Sequence, residues 1–212
     1  MIFKIFQAES FDPIINLKKE EELEKQVQIG IGVLYLWQND NTIVIGRNQD
    51  PEAECKVLEF QAQGGVIVKR RSGGGAVYHD RGNLNFSLIC HESDKEFCEY
   101  TKILEAVIAR LGMKAEFNGR NDLLINGRKF SGNAVYRHDD IICQHGTILV
   151  DTDIAKMETY LTPDISKLNR NGISSVKARV INLREVDEKI TVELVKDAFI
   201  YEIKSMEEGK SN

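Results

Sequence analysis

Cysteine and histidine, the usual ligands of structural metal sites, are few and irregularly placed in this sequence. The four cysteines, Cys55, Cys90, Cys98 and Cys143, show no C-x-x-C spacing, and no paired histidines accompany them. A zinc site needs ligands at short and regular spacing, so the sequence predicts no metal ion held by the protein alone. Scattered cysteines are more typical of reduced thiols in a cytoplasmic protein than of a disulfide framework.

Long apolar segments and an excess of positive charge are absent as well. No run is apolar over the roughly 20 residues that cross a bilayer. The start, "MIFKIFQAESFDP", has neither the basic region nor the long apolar region of a signal peptide. The formal net charge is −5, whereas general nucleic-acid binders are usually basic. We therefore expect a cytoplasmic protein that binds neither a membrane nor nucleic acid.

Apolar residues, by contrast, are plentiful. They make up 42% of the 212 residues, enough for a chain of this length to bury a core. There is no internal repeat and no clear linker, so we expect one domain over residues 1–212. Strand and helix patterns mix without a regular βαβ alternation. This predicts an α+β fold built on a mixed, mainly antiparallel sheet with flanking helices.

Three segments in the first quarter of the chain predict particular elements. Asp12-Pro13 opens a helix whose outer face carries "KKEEELEK", which we interpret as a solvated run of charge rather than a site. "GVLYLW" and "NTIVIGR" predict two strands, and the link between them, "QNDN", has the length of a hairpin connection.

Three further segments predict helices and a hairpin. "DPEAECKVLEFQAQ" and "TVELVKDAFIYEIKSMEEG" have helical spacing. "DLLINGRKFSGNAVYR" predicts a β-hairpin, because Asn126-Gly127 is a favoured two-residue turn.

A run of cations and glycines, "KRRSGGGAVYHD", occupies residues 69–80. Glycines 73–75 expose successive backbone N–H groups, which can form a concave anion site. Arg70 and Arg71 are forked cations suited to a carboxylate or a phosphate. A tight bend with exposed arginines is the alternative. The segment is neither a P-loop nor a dinucleotide fingerprint, because no Gly-Lys-Ser/Thr ends it and no helix pattern follows it.

Lys129 lies on the second arm of the predicted hairpin, within "NGRKFSGNA". With Phe130 beside it and small residues after it, this lysine can point into a cleft and stabilise charge on a carbonyl or phosphoryl oxygen. A solvated strand lysine is the alternative. Asn121 and Asp122 lie one strand earlier. Asp122 could orient Lys129 or help to hold a metal-bound phosphate, although Asn and Asp also favour turns.

The segment "CQHGT" contains a second pair of candidate groups. His145 could act as an acid or base or as a polar contact, or it could be a satisfied, partly buried strand residue. Cys143 projects from the same strand face, so activation of its thiol by His145 is geometrically possible. The preceding "II" makes this a buried apolar run, which argues against a nucleophilic cysteine.

Four segments together resemble the lipoate–protein ligase A family of the biotin/lipoate protein ligase superfamily. They are "RRSGGGAVYHDRGNLNFS", "GRNDLLINGRKFSGNA", "QHGTILVDTD" and "GISSVKARVINL", and they occur in the family's order between about residues 30 and 183. The resemblance implies a biotin/lipoate-ligase-like catalytic domain. It also implies ATP-dependent formation of lipoyl-AMP from lipoate and MgATP. The lipoyl group would then pass to a lysine of a lipoyl domain, in a 2-oxoacid dehydrogenase E2 subunit or the glycine-cleavage H protein.

The same resemblance assigns roles to individual residues. Lys129 corresponds to the family's essential lysine, and any Mg²⁺ would arrive with ATP and lie near Asp122. The residues implied in substrate and ATP binding are Arg70, Ser72, Gly73, Gly74, Gly75, Ala76, Val77, Tyr78, His79, Asn121, Asp122, Gly132, His145 and Gly146. The residues implied in a mobile adenylate-binding loop are Ser174, Ser175, Val176 and Arg179.

Two departures from the family pattern bear on activity. Related octanoyl transferases carry a catalytic cysteine just before the lysine segment, where this chain reads "AEFNGRND". That difference favours the ligase and leaves Cys143 as the only candidate nucleophile for a transferase. Many bacterial ligases also have a small C-terminal accessory domain, which we expect to be absent here or to be a separate chain. Transfer from an acylated carrier or from preformed lipoyl-AMP is the alternative function, and a non-enzymatic regulatory domain is a third.

Overall fold

A computed structural model describes residues 1–118, 121–162 and 179–208. Within these ranges the chain forms two β-sheets and seven α-helices, which confirms the predicted α+β class. The predictions for Ser174, Ser175 and Val176 lie outside the described residues. None of the described helices is both long enough and apolar enough to cross a membrane.

The larger sheet has seven strands in the order β1-β2-β6-β10-β9-β8-β7. Among its described pairs, β1 and β2 are parallel and the others are antiparallel. The strands are β1 Ile2–Gln7, β2 Ile31–Trp37, β6 Asn83–His91, β7 Glu116–Phe117, β8 Asp122–Ile125, β9 Arg128–His138 and β10 Ile141–Leu149.

The smaller sheet has three strands in the order β4-β3-β5. Its central strand pairs in parallel with β4 and antiparallel with β5. The strands are β3 Thr42–Ile45, β4 Val66–Lys69 and β5 Ala76–His79. The glycine run therefore connects two strands of this smaller sheet.

Helices cover both faces of the larger sheet and one side of the smaller one. They are α1 Pro13–Glu24, α2 Pro51–Glu54, α3 Val57–Ala62, α4 Tyr100–Arg110, α5 Ile154–Tyr160, α6 Leu183–Val186 and α7 Val192–Glu208.

The predicted hairpin between "GVLYLW" and "NTIVIGR" is wrong, because β2 and β3 belong to different sheets. Both edges of β2 are already paired, one with β1 and the other with β6. The link 38–41 instead carries the chain across to the smaller sheet. It is pinned there by the side-chain amide of Asn16, which donates to the carbonyl of Gln38 at 2.9 Å and to Asn39 Oδ1 at 3.1 Å.

Other local predictions are confirmed or refined. Asp12 caps α1 by accepting a hydrogen bond from the Ile14 N–H at 2.7 Å. Asn126 and Gly127 both have positive φ (52° and 72°), as a two-residue turn between twisted strands requires. The single helix predicted over "DPEAECKVLEFQAQ" is two short helices, because Cys55 is extended between them.

Alternation along the central strands separates the core from a polar face. On β6 the even-numbered residues Leu84, Phe86 and Leu88 pack into the largest core with α4 and α7. The intervening Asn85 and Ser87 face the opposite side and are also buried. Successive strand residues point to opposite faces, so the larger sheet presents buried polar groups toward α1 and the smaller sheet. The candidate site lies on that face.

Candidate functional site

A cavity of about 350 Å³ opens between the two sheets. Residues of β5, β9 and β10 form much of its wall. Most of the side chains and glycines predicted from sequence line it, namely Arg70, Gly74, Gly75, Ala76, Val77, Tyr78, His79, Asn121, Asp122, Lys129, Gly132, His145, Gly146 and Arg179. Ser72 and Gly73 lie in the same segment but are not part of the lining.

Lys129 reaches this cavity from the start of β9. A Cβ on Gly132 would lie 2.7 Å from Lys129 Nζ, so the missing side chain leaves the room that the lysine occupies. The ammonium group pairs with Asp122 Oδ1 at 2.7 Å. Arg179 lies on the far side of the same carboxylate, 3.9 Å from Oδ2. Around Asp122 the cavity therefore holds two cations and one carboxylate, which leaves one positive charge in excess at this point to meet an anion.

The residues that line the cavity fall into two groups on either side of Lys129, which we call its two arms. His145, Thr147 and Leu149 share one face of β10 and span about 13 Å at a strand's usual rise. Thr147 is paired with Gly132, over which Lys129 lies. The ammonium group is thus near the middle of that length.

The two arms differ in what lines them. The arm toward Leu149 is walled by members of the apolar cluster of the smaller sheet, Tyr78 and Met157. The arm toward His145 lies beneath α1, with Leu17 and Trp37 in its wall. Both arms therefore offer apolar and aromatic side chains, and the ammonium group of Lys129 lies between them.

Arg70 supports the glycine segment from inside. Its Nη2 donates to the carbonyls of Gly73 and Gly75 at 2.8 and 2.9 Å, its Nη1 to Val44 at 3.0 Å, and its Nε to Ser72 Oγ at 3.0 Å. Burial lowers the pKa of Arg70 to about 10, so the guanidinium remains charged at neutral pH. Three of its five N–H groups bond to the loop and a fourth bonds to Val44 of β3, which leaves little of the guanidinium for a ligand.

Gly74 needs to be a glycine for two reasons. Its φ is +96°, which L side chains rarely adopt. A Cβ there would also lie 2.7 Å from Arg70 Nη2. Any side chain at this position would therefore strain the backbone and push the guanidinium from the carbonyls that it binds.

With this geometry in place, the comparison with known protein families is decisive. The sequence profile described as "Lipoyl protein ligase A/B catalytic domain" matches residues 12–204. The chain belongs to the lipoyl protein ligase A/B catalytic domain family. The resemblance stated from sequence is confirmed.

Curated relatives carry the name lipoate-protein ligase A. One, from Psychrobacter cryohalolentis, is 38% identical over 200 residues, which cover 94% of this chain and 59% of the relative. Another, from Bdellovibrio bacteriovorus, is 36% identical over 212 residues, which cover 98% of this chain and 62% of the relative. The chain thus spans about three fifths of the length of these relatives.

Solved structures of lipoate ligases share the fold. P. falciparum LipL1, determined in complex with lipoate, is 30% identical with a TM-score of 0.81, covering 98% of this chain and 63% of that one. The bipartite lipoate protein ligase of Thermoplasma acidophilum, described with its E2 lipoyl domain, has a TM-score of 0.84 at 24% identity, covering 97% and 84%. A lipoate-protein ligase A bound with ATP has a TM-score of 0.82 at 24% identity, covering 97% and 85%. The last two comparisons establish the fold only.

The charge run of α1 contains a buried residue, Glu20, that supports the cavity wall from behind, which corrects the interpretation of the run as solvated. Glu20 is 2% exposed, and its Oε1 accepts from Ser87 and lies 2.9 Å from His145 Nδ1. Ser72 Oγ lies 2.6 Å from His145 Nε2. Burial by itself would raise the pKa of Glu20, but the charge and hydrogen bond of His145, with help from Ser87, lower it.

This network bears on the role predicted for His145. Both ring nitrogens are engaged, one by Ser72 and the other by Glu20. The arrangement favours His145 as a satisfied, buried residue that links α1 to the glycine segment. Helical spacing could have revealed Glu20, because it lies three residues after Leu17 and three before Leu23 and so shares the face of α1 that carries these leucines.

His79 lines the cavity and, like Asn85 in the same wall, has a buried side-chain nitrogen without a hydrogen-bond partner among the described residues. It is 2% exposed, and the amide of Asn39 lies 3.1 Å from Nδ1. Asn39 Oδ1 accepts from Asn16, so the Asn39 amide nitrogen donates to His79 and the ring proton belongs on Nε2. Nε2 has no hydrogen-bond partner among the described residues. Burial, reinforced by the charges of Arg70 and His145, lowers the pKa of His79 to about 3.

Cys143 lies behind the cavity wall rather than in it. The residue is fully buried and outside the lining. Burial raises the pKa of its thiol well above the usual value, and the charge of Glu20 raises it further. Such a thiol is a poor nucleophile. The ligand-type atoms of Glu20, Cys143 and His145 come within 4.8 Å of one another, but Glu20 and His145 already bond to Ser87 and Ser72.

Proposed function

We propose that this chain carries out ATP-dependent activation of lipoate to lipoyl-AMP and transfers the lipoyl group to a specific lysine of a lipoyl domain. One observation supports this most strongly. The ammonium group of Lys129, paired with Asp122 at 2.7 Å, lies where two arms of one cavity meet. The names of the curated relatives, and the lipoate and ATP bound in structural neighbours, favour the same chemistry.

The proposed reaction has two displacement steps at one place. A lipoate oxygen attacks the α-phosphorus of ATP, and pyrophosphate leaves with the electrons of the broken P–O bond. The neutral amine of the carrier lysine then attacks the acyl carbon. AMP leaves with the electrons of the broken C–O bond, and the nitrogen releases one proton to solvent as the amide forms. Negative charge grows on phosphoryl oxygen in the first step and on carbonyl oxygen in the second. Lys129 would stabilise both charges, and no covalent bond between enzyme and substrate is needed.

The two arms suit the two halves of the adenylate. The arm beneath α1, with Leu17 and Trp37 in its wall, suits an apolar acyl tail. The other arm, with Tyr78 and Met157, suits a nucleoside. The N–H groups of the glycine segment, with Asn121 and Arg179, would face the phosphate. Mg²⁺ bound with ATP supplies charge neutralisation at the phosphates, and Asp122 offers the oxygen ligand that such an ion prefers.

The acceptor protein and the cellular location are part of the same proposal. The T. acidophilum ligase is described with an E2 lipoyl domain. We therefore expect lipoyl domains of 2-oxoacid dehydrogenase E2 subunits, or the glycine-cleavage H protein, as acceptors. The buried thiols of Cys55, Cys90 and Cys143 fit a reducing cytoplasm.

A carrier-modification assay tests the proposal directly. The protein is incubated with lipoate, ATP, Mg²⁺ and a purified lipoyl domain, and the carrier is weighed by mass spectrometry. The carrier should gain one lipoyl group only when ATP is present. Modification from an acylated donor protein without ATP would contradict the ligase and support the transferase. Modification from synthetic lipoyl-AMP alone would restrict the activity to the transfer step.

A further inference from the structure

A carboxylate of the protein itself lies on the glycine segment inside the cavity. Glu54 is the last residue of α2, is partly buried and lines the cavity. Its Oε2 accepts a hydrogen bond from the backbone N–H of Ala76 at 3.0 Å. The same oxygen lies 3.2 Å from the position of a Cβ on Gly75, so the carboxylate rests directly against the loop. The N–H of Ala76 is therefore already bonded to an oxyanion.

The peptide group between Gly75 and Ala76 is polarised from both ends. Its carbonyl oxygen accepts from Arg70 Nη2 at 2.9 Å and from the Gly46 N–H at 3.3 Å. Its N–H, on the opposite side, donates to Glu54. A cation at the carbonyl end draws electron density toward oxygen, which makes the N–H at the other end a stronger donor. This peptide group is thus arranged to hold an anion.

The backbone of Glu54 is held by contacts that do not involve the glycine segment. Its carbonyl accepts from the Thr162 N–H at 2.8 Å. The next residue, Cys55, forms an antiparallel bridge with Leu161. The side chain of Glu54 can therefore turn to another rotamer while α2 stays in place. Its bond to Ala76 can open without any change in the fold.

Both small substrates of the proposed reaction bring an oxyanion to this cavity. Lipoate has a carboxylate and ATP has phosphoryl groups, and neither can share the single N–H of Ala76 with Glu54. Two like charges in a partly buried site also repel strongly. We propose that Glu54 is an internal competitor, whose carboxylate occupies the oxyanion position on Ala76 in the free protein and is displaced by a ligand oxyanion. This inference rests on the proposed function only because that function supplies the two classes of ligand, a carboxylate and a phosphoryl compound.

Equilibrium binding to charge variants tests the inference. Glu54→Gln keeps the length of the side chain and an acceptor oxygen but removes the charge. Glu52→Gln is the matched control, because Glu52 is an exposed carboxylate on the same helix. Two ligand pairs, lipoate with lipoamide and AMP with adenosine, are titrated by calorimetry without Mg²⁺. In each pair the first ligand carries an oxyanion and the second does not.

The expected result is selective for charge. The Glu54→Gln variant should bind at least one of the anions about tenfold more tightly than the wild type, a modest part of the repulsion between two charges at this separation. The neutral ligands should bind as before, and Glu52→Gln should match the wild type. A gain for lipoate identifies the displacing group as a carboxylate, and a gain for AMP identifies it as a phosphoryl group. Glu54→Ala should give at least the same gain.

Two results would overturn the inference. Unchanged or weaker binding of both anions by the Glu54 variants would mean that the carboxylate supports the loop instead of competing for it. A complex in which Glu54 Oε2 still bonds Ala76 would contradict displacement as well. The carrier assay separates the two proposals. A modified carrier with unchanged anion affinities in Glu54→Gln refutes the competitor alone, while tighter anion binding without carrier modification refutes the proposed function alone.

Discussion

Single residues at this site act through the groups that hold them. Lys129 lies over a glycine and against Asp122, so its ammonium group has a defined position in the cavity. Arg70, which the sequence marks as a ligand-binding fork, bonds mainly to backbone carbonyls of the glycine segment. Lys129, with Arg179 on the other side of Asp122, therefore supplies positive charge to the cavity, whereas Arg70 uses its charge to shape the loop.

Removing the ammonium group of Lys129 should strongly slow the proposed adenylation. We expect Lys129→Ala to reduce the rate of lipoyl-AMP formation by at least about 10²-fold, the loss typical of one missing electrostatic stabiliser. Pyrophosphate release measures that rate, and thermal unfolding should show a fold of unchanged stability. Lys102→Ala, which alters an exposed lysine on α4, is the control. Wild-type turnover by Lys129→Ala would remove the role given to this residue.

His79 makes folding stability depend on pH. Its folded pKa of about 3 lies below the ordinary value of 6.5, so the unfolded chain binds a proton more readily than the folded one between these values. The stabilisation from burying the neutral ring is complete above pH 6.5 and decreases as pH falls toward 3. Between these two pH values, this group should lower the free energy of unfolding by about 1.4 kcal/mol for each unit that the pH falls. Urea unfolding at several pH values should show this slope reduced in His79→Gln, and equal slopes would contradict it.

At the level of elements, patterns of local origin were predictable from sequence and patterns set by packing were not. The cap at Asp12 and the Asn126-Gly127 turn depend on neighbours within a few residues, and both occur as expected. The split between α2 and α3 depends on Leu161, which pairs with Cys55 from more than 100 positions away. No local propensity could have indicated that break.

In the C-terminal helix α7, the apolar residues whose spacing predicted a helix are also the residues that pack into the core. Val195, Ala198, Phe199 and Ile203 are buried at helical spacing, and the ring of Phe199 lies 5.4 Å from that of Phe86. Phe199→Ala should lower the free energy of unfolding by about 3–5 kcal/mol, because it leaves a cavity in the largest core. Chemical denaturation measures this change. Lipoate affinity below the unfolding transition should not change, since α7 lies on the opposite face of the sheet from the cavity.

For the whole molecule, the junction between the two sheets creates the site. The link 38–41 crosses from one sheet to the other, and the buried amide of Asn16 bonds to it and to the carbonyl of Ser10. Asn39 continues this connection to His79 in the cavity wall. This hydrogen-bonded joint between α1, the link and β5 supports the cavity together with the Glu20–His145–Ser72 network.

Replacing Asn16 should lower both the stability of the fold and the affinity of the cavity for its ligand. Asn16→Ala leaves buried carbonyls without a donor, at a cost of about 1–3 kcal/mol for each unsatisfied group. We expect lower stability in urea and, at temperatures where the variant stays folded, weaker lipoate binding. Lys18→Ala, an exposed change on the same helix, should alter neither. A stable variant of Asn16 with normal lipoate affinity would show that the joint does not support the cavity.

The sequence by itself determined the family, the helix caps and turns, and the segments that carry the glycines and Lys129, because these features depend on residue types at short spacing. Only the tertiary structure decided the separation of β2 from β3, the burial of Glu20 beside His145, the use of Arg70 inside the loop, and the contact of Glu54 with Ala76. Each of these pairs residues far apart in the chain. Their free energy comes from burial and hydrogen bonding that exist only once both sheets are assembled.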